Sequence, residues 1–186
     1  MPPKIKITKE AIINAALNLV RVVGEDAINA RSIACALNCS TQPIFSNFSS
    51  MAELRFAIIE AADKRYNEYI STEIKQELYP PYKASGMAYI RFAKEEKELF
   101  KLLYMRDRTL ESGPSLEPSE ELLSLIQKST GLSREDSKLF QLETWSFVHG
   151  IAVMLATDFL ELEWELISKM LTDIFVGLKK QHGIED

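Results

Sequence analysis

The side chains in this 186-residue chain whose type and spacing could do chemistry are few: two histidines, two cysteines and a cluster of small polar residues around position 42. Cys35 and Cys39 stand four apart, a spacing that could serve a metal or redox pair. No histidine or second cysteine pair lies near enough to complete a zinc set, so no metal ligand is expected. Cys35 falls in a short apolar segment, and both thiols are expected to be buried and inert. His149 sits in an apolar stretch beside Gly150. It is either a buried, hydrogen-bonded imidazole, with Gly150 letting a neighbouring helix approach, or part of a ligand cavity. There is no G-x-S-x-G and no H-E-x-x-H, so no catalytic residue is expected. An enzyme on this chain would have to use His149, the one plausible buried base. Seven glycines, no two within two positions of each other, exclude both the dinucleotide fingerprint and the P-loop. No cofactor is expected.

The elements that must position these residues read as helical throughout. Apolar residues make up 46% and charged residues 26%, the balance of a globular chain with a real core. No run of alternating β-branched residues appears, so the fold class is all-α. The first helix is expected from Thr8, its N-cap, to Val23, with Ile12, Ala16, Leu19 and Val23 on one face and Gly24 as the stop. A short helix follows from Asn29 and carries Ile33, Ala34 and Leu37. Asn38-Cys39-Ser40 turns the chain into another short helix from Thr41 to Asn47, with Pro43 in its first turn. Two short helices joined by so tight a turn form the helix-turn-helix plan.

Ser50-Met51-Ala52-Glu53 reads as a capping box. It opens a long apolar series of Leu54, Ile58, Ala62, Tyr66, Ile70, Ile74 and Leu78, which Pro80-Pro81 is expected to end. Two helices are expected over Tyr82–Ala93 and Glu95–Met105. The charge run Lys94-Glu95-Glu96-Lys97-Glu98 between them reads as a solvated helix start or a tight helix–helix connection. Gly113-Pro114 and Pro118 mark a loop, and a short helix fits Ser119–Ser129. Ser133 begins a helix with Leu139, Leu142, Trp145, Val148 and Ala152. In the last helix Leu160, Trp164, Ile167, Leu171, Ile174 and Leu178 alternate spacings of four and three, a heptad-like seam. Met170 and Phe175 widen that face beyond one partner helix, so a second copy of the chain is expected against it.

Residues 1–50 carry 5 Lys/Arg and 3 Asp/Glu, or +2, and residues 51–186 carry 17 and 24, or −7; the two sum to the net −5. A mildly basic head on an acidic body suits an anionic partner at one end only. The longest uncharged apolar stretch, Thr144 to Thr157, is too short to span a bilayer, so no membrane partner is expected. No signal peptide is visible behind Met1, and two cysteines without a framework point to the reducing cytoplasm.

The N-terminal segment resembles the DNA-binding domain of TetR-type transcriptional regulators. The residues that carry the likeness are Ile12-Ile13-Asn14-Ala15-Ala16-Leu17, Gly24, Ser32-Ile33-Ala34, the run from Ser40 to Phe48, and Leu54. Trp145-Ser146-Phe147-Val148-His149-Gly150 is similar to a motif in one branch of that family's ligand-binding domains. The resemblance implies residues 1–49 as a three-helix DNA-binding domain and residues 50–186 as a helical ligand-binding and dimerisation domain. It further implies a homodimer on a palindromic operator, a repressor released by a small-molecule effector. Ser40, Thr41, Gln42, Pro43, Phe45, Ser46 and Asn47 then stand in or beside a DNA groove, where Gln reads adenine and Thr offers a methyl to thymine. Arg31, with Lys4, Lys6 and Lys9, is a candidate phosphate contact. Met87, Phe92, Tyr104, Trp145 and His149 are candidate effector contacts, although helical spacing makes most such residues core.

Three departures from the family pattern stand out. Phe45 replaces a tyrosine whose hydroxyl is expected to reach a phosphate. Met51 replaces a basic residue, and Asn38-Cys39-Ser40 replaces Gly-Val-Ser, with Asn38 able to adopt the left-handed conformation. Fewer phosphate donors imply weaker or less salt-dependent DNA binding. The alternative reading is a helical small-molecule-binding protein that has lost specific DNA binding.

Overall fold

A computed structural model describes residues 7–106 and 118–184. The chain is all-α: the described residues form nine α-helices and no strand. They divide into two compact units, one of residues up to 67 with 96–106, the other of 68–95 with 118–184. The boundary thus falls inside the fourth helix, rather than at 49/50, and a later helix joins the N-terminal unit. Lys4, Lys6, Gly113 and Pro114 lie outside the described residues.

The first unit begins with α1 (Lys9–Val23). Thr8 caps it, its Oγ1 accepting from the Ala11 N–H at 3.1 Å. Gly24 ends it at φ +90°, where a Cβ would stand 2.8 Å from Glu98 Oε2. The positive φ is what requires glycine there, since the glutamate tip is the end of a flexible side chain that can swing aside. Ile12, Ala16 and Val20 form the buried stripe, at a strict spacing of four. The expected Val23 is 64% exposed although it shares the angular position of the stripe, because it is the last residue of α1, where the chain turns away at Gly24.

After a 3-10 turn at Glu25–Ala27, α2 (Ala30–Ala36) is capped by Asn29, whose Oδ1 accepts from the Ser32 N–H at 2.9 Å. It closes in a Schellman motif: the Cys39 N–H donates to the Ala34 carbonyl at 2.9 Å and the Asn38 N–H to the Cys35 carbonyl at 3.0 Å. Asn38 has φ +52°, the left-handed position expected of it. Both cysteines are free, Cys39 is half-buried and Cys35 is exposed, which corrects the expectation of two buried thiols. Ile33 and Ala34 take the buried side of this 7-residue helix, and Cys35 falls on the next face round.

α3 (Gln42–Asn47) follows with Pro43 in its first turn, and α4 spans Met51–Lys75. Ser50 Oγ accepts from the Glu53 N–H at 3.1 Å. The Glu53 carboxylate accepts from the N–H and Oγ of Ser49, both at 2.7 Å, one residue earlier than a simple capping box requires. These bonds, with Lys9 Nζ at 3.0 Å, hold the Glu53 carboxyl down to about 2. Leu54, Ile58 and Ala62 are buried as expected. The helix stops at Lys75, well before the prolines, with Glu77 at φ +54° and Leu78 68% exposed. Pro81 instead opens the next helix, where a missing N–H is harmless.

α6 (Lys97–Tyr104) packs against α1 and completes this unit. Glu96, read from the charge run as solvated, is 4% exposed. Its carboxylate takes Arg21 Nε at 2.6 Å and Nη2 at 2.8 Å, with Arg65 Nε at 3.5 Å. A buried carboxylate persists only with such partners.

The second unit is built on α5 (Pro81–Glu95) and α8 (Arg134–Ala156), with α7 (Glu120–Thr130) and α9 (Trp164–Gln181) packed on them. Ser119 and Ser133 cap α7 and α8 through their hydroxyls, and Gly131 ends α7 in the left-handed conformation at φ +74°. The buried stripe of α8 is Ser137, Phe140, Thr144, Ile151 and Leu155. Of the expected stripe Ala152 is fully buried, whereas Leu139 and Leu142 stand on a second apolar face and are each 50% exposed. Close approach between helices is made at Gly86, where a Cβ would stand 3.1 Å from Leu171 Cδ2, and not at Gly150, which faces open space. α9 begins at Trp164, so Leu160 lies outside the seam assigned to it and is 43% exposed. Among the described helices α8 alone is long and apolar enough to cross a membrane, with mean hydropathy 1.2 over 18 residues.

Candidate nucleic-acid interface

α3 is held from behind by two fully buried side chains, Ile44 at 0% and Phe48 at 2% exposure. Their spacing of four puts both on one face, which leaves Gln42, Phe45 and Ser46 together on the opposite one. All three are exposed, as is Ser40 in the turn, while Thr41 and Pro43 are half-buried. Gln42 therefore offers an amide, and Phe45, 55% exposed, an uncovered ring. This much agrees with the placement expected from the sequence.

Several of the expected polar groups are already engaged. Ser46 Oγ donates to the Gln42 carbonyl at 2.9 Å, so its hydroxyl keeps only acceptor capacity for a partner. Asn47 Nδ2 donates to the Pro43 carbonyl at 2.7 Å and to the Ile7 carbonyl at 3.4 Å. Asn47 is thus a brace between α3 and the chain ahead of α1. Lys9 pairs with Glu53 and lies 4.7 Å over the Phe48 ring, a position that steadies α3 from outside. Arg31 is exposed on the first turn of α2 and makes no ion pair among the described residues. Nothing in the sequence pointed to the Lys9–Glu53 pair, whose members are 44 residues apart.

Four of the five expected effector contacts belong to the second unit and Tyr104 to the first. Met87 and Phe92 are at most 1% exposed in the core of the second unit. Tyr104 belongs to the first unit, edge-on to Tyr66 at 6.0 Å and tilted against Phe100 at 5.3 Å. Trp145 and His149 do meet, their rings stacked at 4.7 Å, and His149 Nδ1 bonds the Tyr89 hydroxyl at 2.8 Å. Tyr89, which is buried, was the missing member of that pair.

Burial pushes the His149 imidazole below its ordinary value of 6.5. As pH falls through that value the unfolded chain takes up a proton before the folded one, so the His149 contribution to stability, full above it, declines. Urea midpoints measured from pH 7.5 to 5.5 should accordingly fall more steeply for the parent protein than for His149→Gln. Parallel slopes would remove this role from His149. No group of three or more candidate metal ligands occurs among the described residues.

No protein-family model matches this sequence, and no curated protein is significantly similar to it.

Proposed function

We propose that the chain is a DNA-binding transcriptional regulator of the helix-turn-helix kind, a repressor released from a palindromic operator by a small-molecule effector. The observation that carries the reading is α3 itself: six residues fixed by Ile44 and Phe48, with Gln42, Phe45 and Ser46 left uncovered on one face. A groove-reading helix needs that division between anchoring and contact. In this reading Gln42 pairs with adenine, the Phe45 ring and Thr41 methyl meet thymine, and Arg31 and the N-terminal lysines sit on phosphates.

The protein acts as a homodimer in the cytoplasm. Ile167 and Leu171 of the α9 seam are buried in their own unit, so the exposed face of α8 at Leu139 and Leu142, with Leu166 of α9, supplies the contact, and two α3 helices enter successive major grooves about 34–36 Å apart. The effector binds the second unit near Trp145 and His149. Its coupling to the operator is about 1–3 kcal/mol, the usual range for such sites. Light scattering at micromolar concentration should give the mass of two chains, and a monomer there would refute the dimer.

The deciding experiment is selection of bound duplexes from a random pool at two salt concentrations. A palindromic consensus is expected. Gln42→Ala should then lose about 1–3 kcal/mol of discrimination at one base pair of each half-site. If nothing is enriched by folded, dimeric protein, the reading fails. The outcome then favours a helical small-molecule binder that has lost specific DNA binding. A specific observation speaks for that second reading: Lys9, Ser46 and Asn47 are tied up internally and Phe45 has no hydroxyl to donate.

A further inference from the structure

Lys83 stands on α5, in the second unit, and its side chain is held by hydroxyls instead of a carboxylate. Nζ donates to Ser168 Oγ and to Thr172 Oγ1 on α9, each at 2.8 Å, and lies 4.8 Å from the centroid of the Tyr79 ring. No acidic group pairs with it among the described residues. Lys9, Lys94, Lys101, Lys138 and Lys169, by contrast, each pair with a carboxylate.

The difference decides which form of the amine the site can hold. An ammonium has three N–H donors; a neutral amine has two, with a lone pair in the third place. At Lys83 two donors are engaged, so loss of the third proton breaks neither bond. At an ion-paired lysine the same loss forfeits the pair. Burial lowers the Lys83 ammonium below its ordinary value of 10.5, although the Tyr79 ring pulls toward the charged form. An amine so placed is suited to act as a nucleophile. Thr172 Oγ1 spends its own hydrogen on the Ser168 carbonyl at 3.1 Å, whereas the Ser168 hydroxyl hydrogen has no acceptor among the described residues. Ser168 is therefore able to accept from Nζ and to donate to an oxygen brought beside it.

We propose that Lys83 is an acylation site, its Nζ taking an acyl group from an activated carboxyl compound, an acyl phosphate or an acyl thioester. The Nζ lone pair bonds the acyl carbon while the Ser168 hydroxyl donates to the acyl oxygen. The C–O or C–S bond breaks, and the phosphate or thiolate leaves with its electron pair and takes the amine proton. The amide that remains has one N–H and no charge, so one of the two bonds from Nζ to α9 is lost. The site lies wholly within the second unit and is independent of the DNA-binding reading, since its test uses no duplex.

The test treats the full chain with acetyl phosphate or with acetyl-coenzyme A from about pH 7 to 10 and follows each lysine by peptide mass spectrometry. Lys64 and Lys128, exposed and without an ion pair among the described residues, are the internal standards. Lys83 should react several-fold faster than either, and its rate should level off at a lower pH. The faster reagent identifies the donor as a phosphate or a thioester. Ser168→Asp puts a carboxylate beside Nζ and should slow Lys83 by about tenfold, leaving Lys64 and Lys128 as they were. Thr172→Asp, at an exposed position, serves if that variant does not fold. Lys83 reacting no faster than the standards, levelling off at their pH, or keeping its rate in the aspartate variant would overturn the proposal.

Discussion

Phe140→Ala should lower the unfolding free energy by about 3–5 kcal/mol, the range for deleting a fully buried aromatic ring. Leu139→Ala, one position earlier, should cost less than about 1 kcal/mol in the folding of a single chain, read below the concentration at which two chains associate. The difference follows from where the two side chains stand on α8: Phe140 is 0% and Leu139 50% exposed. The Phe140 ring meets Tyr82, Phe175 and His182 with centroids 6.3, 5.5 and 5.7 Å away. Its removal leaves a cavity bounded by three rings that cannot all collapse inward. Urea unfolding of the two variants decides the matter, and equal losses would mean that the facing of α8 is wrong.

Arg91→Met should cost a further large amount, about 3–5 kcal/mol, because it strands a buried charge. Glu73 is 2% exposed, and its Oε2 accepts from Arg91 Nε at 3.1 Å while Oε1 has no hydrogen-bond partner among the described residues. The Arg91 guanidinium also lies 4.5 Å over the Trp164 ring, so one side chain satisfies a carboxylate and covers an indole. Adding Glu73→Leu to Arg91→Met should restore most of the loss, since an apolar pair of similar size is nearly neutral in such a site. If the two losses simply add, the carboxylate is not held by Arg91.

How much of this was legible in the sequence depended on how local the chemistry is. Helix ends were readable because a cap is decided within four residues: Thr8, Asn29, Ser119 and Ser133 accept as their types predict, and Gly24 and Gly131 take the positive φ that their positions need. The facing of α8 was not readable, since Leu139 and Leu142 compete with Phe140 for the same core and periodicity cannot rank two apolar stripes. Glu96 was hidden for the opposite reason. Inside a run of five charges nothing marks the one that meets Arg21, 75 residues away. At the candidate interface, the exposed face of α3 followed from the spacing of Ile44 and Phe48. The internal bonds of Ser46 and Asn47 left no trace, because serine and asparagine look the same whether their side chains turn outward or back onto the helix.

The exposure of Cys35 reaches beyond the fold into how the protein behaves in a tube. Its thiol is open to reagents on α2, whereas Cys39 is half-buried. Air oxidation is expected to join two chains through Cys35 into a species of twice 21.1 kDa that owes nothing to α8 or α9, and a reducing gel beside a non-reducing one checks it. Oligomer masses therefore carry meaning only under reductant. The same accessibility makes Cys35 a labelling handle: a maleimide dye there sits on α2, one helix ahead of α3.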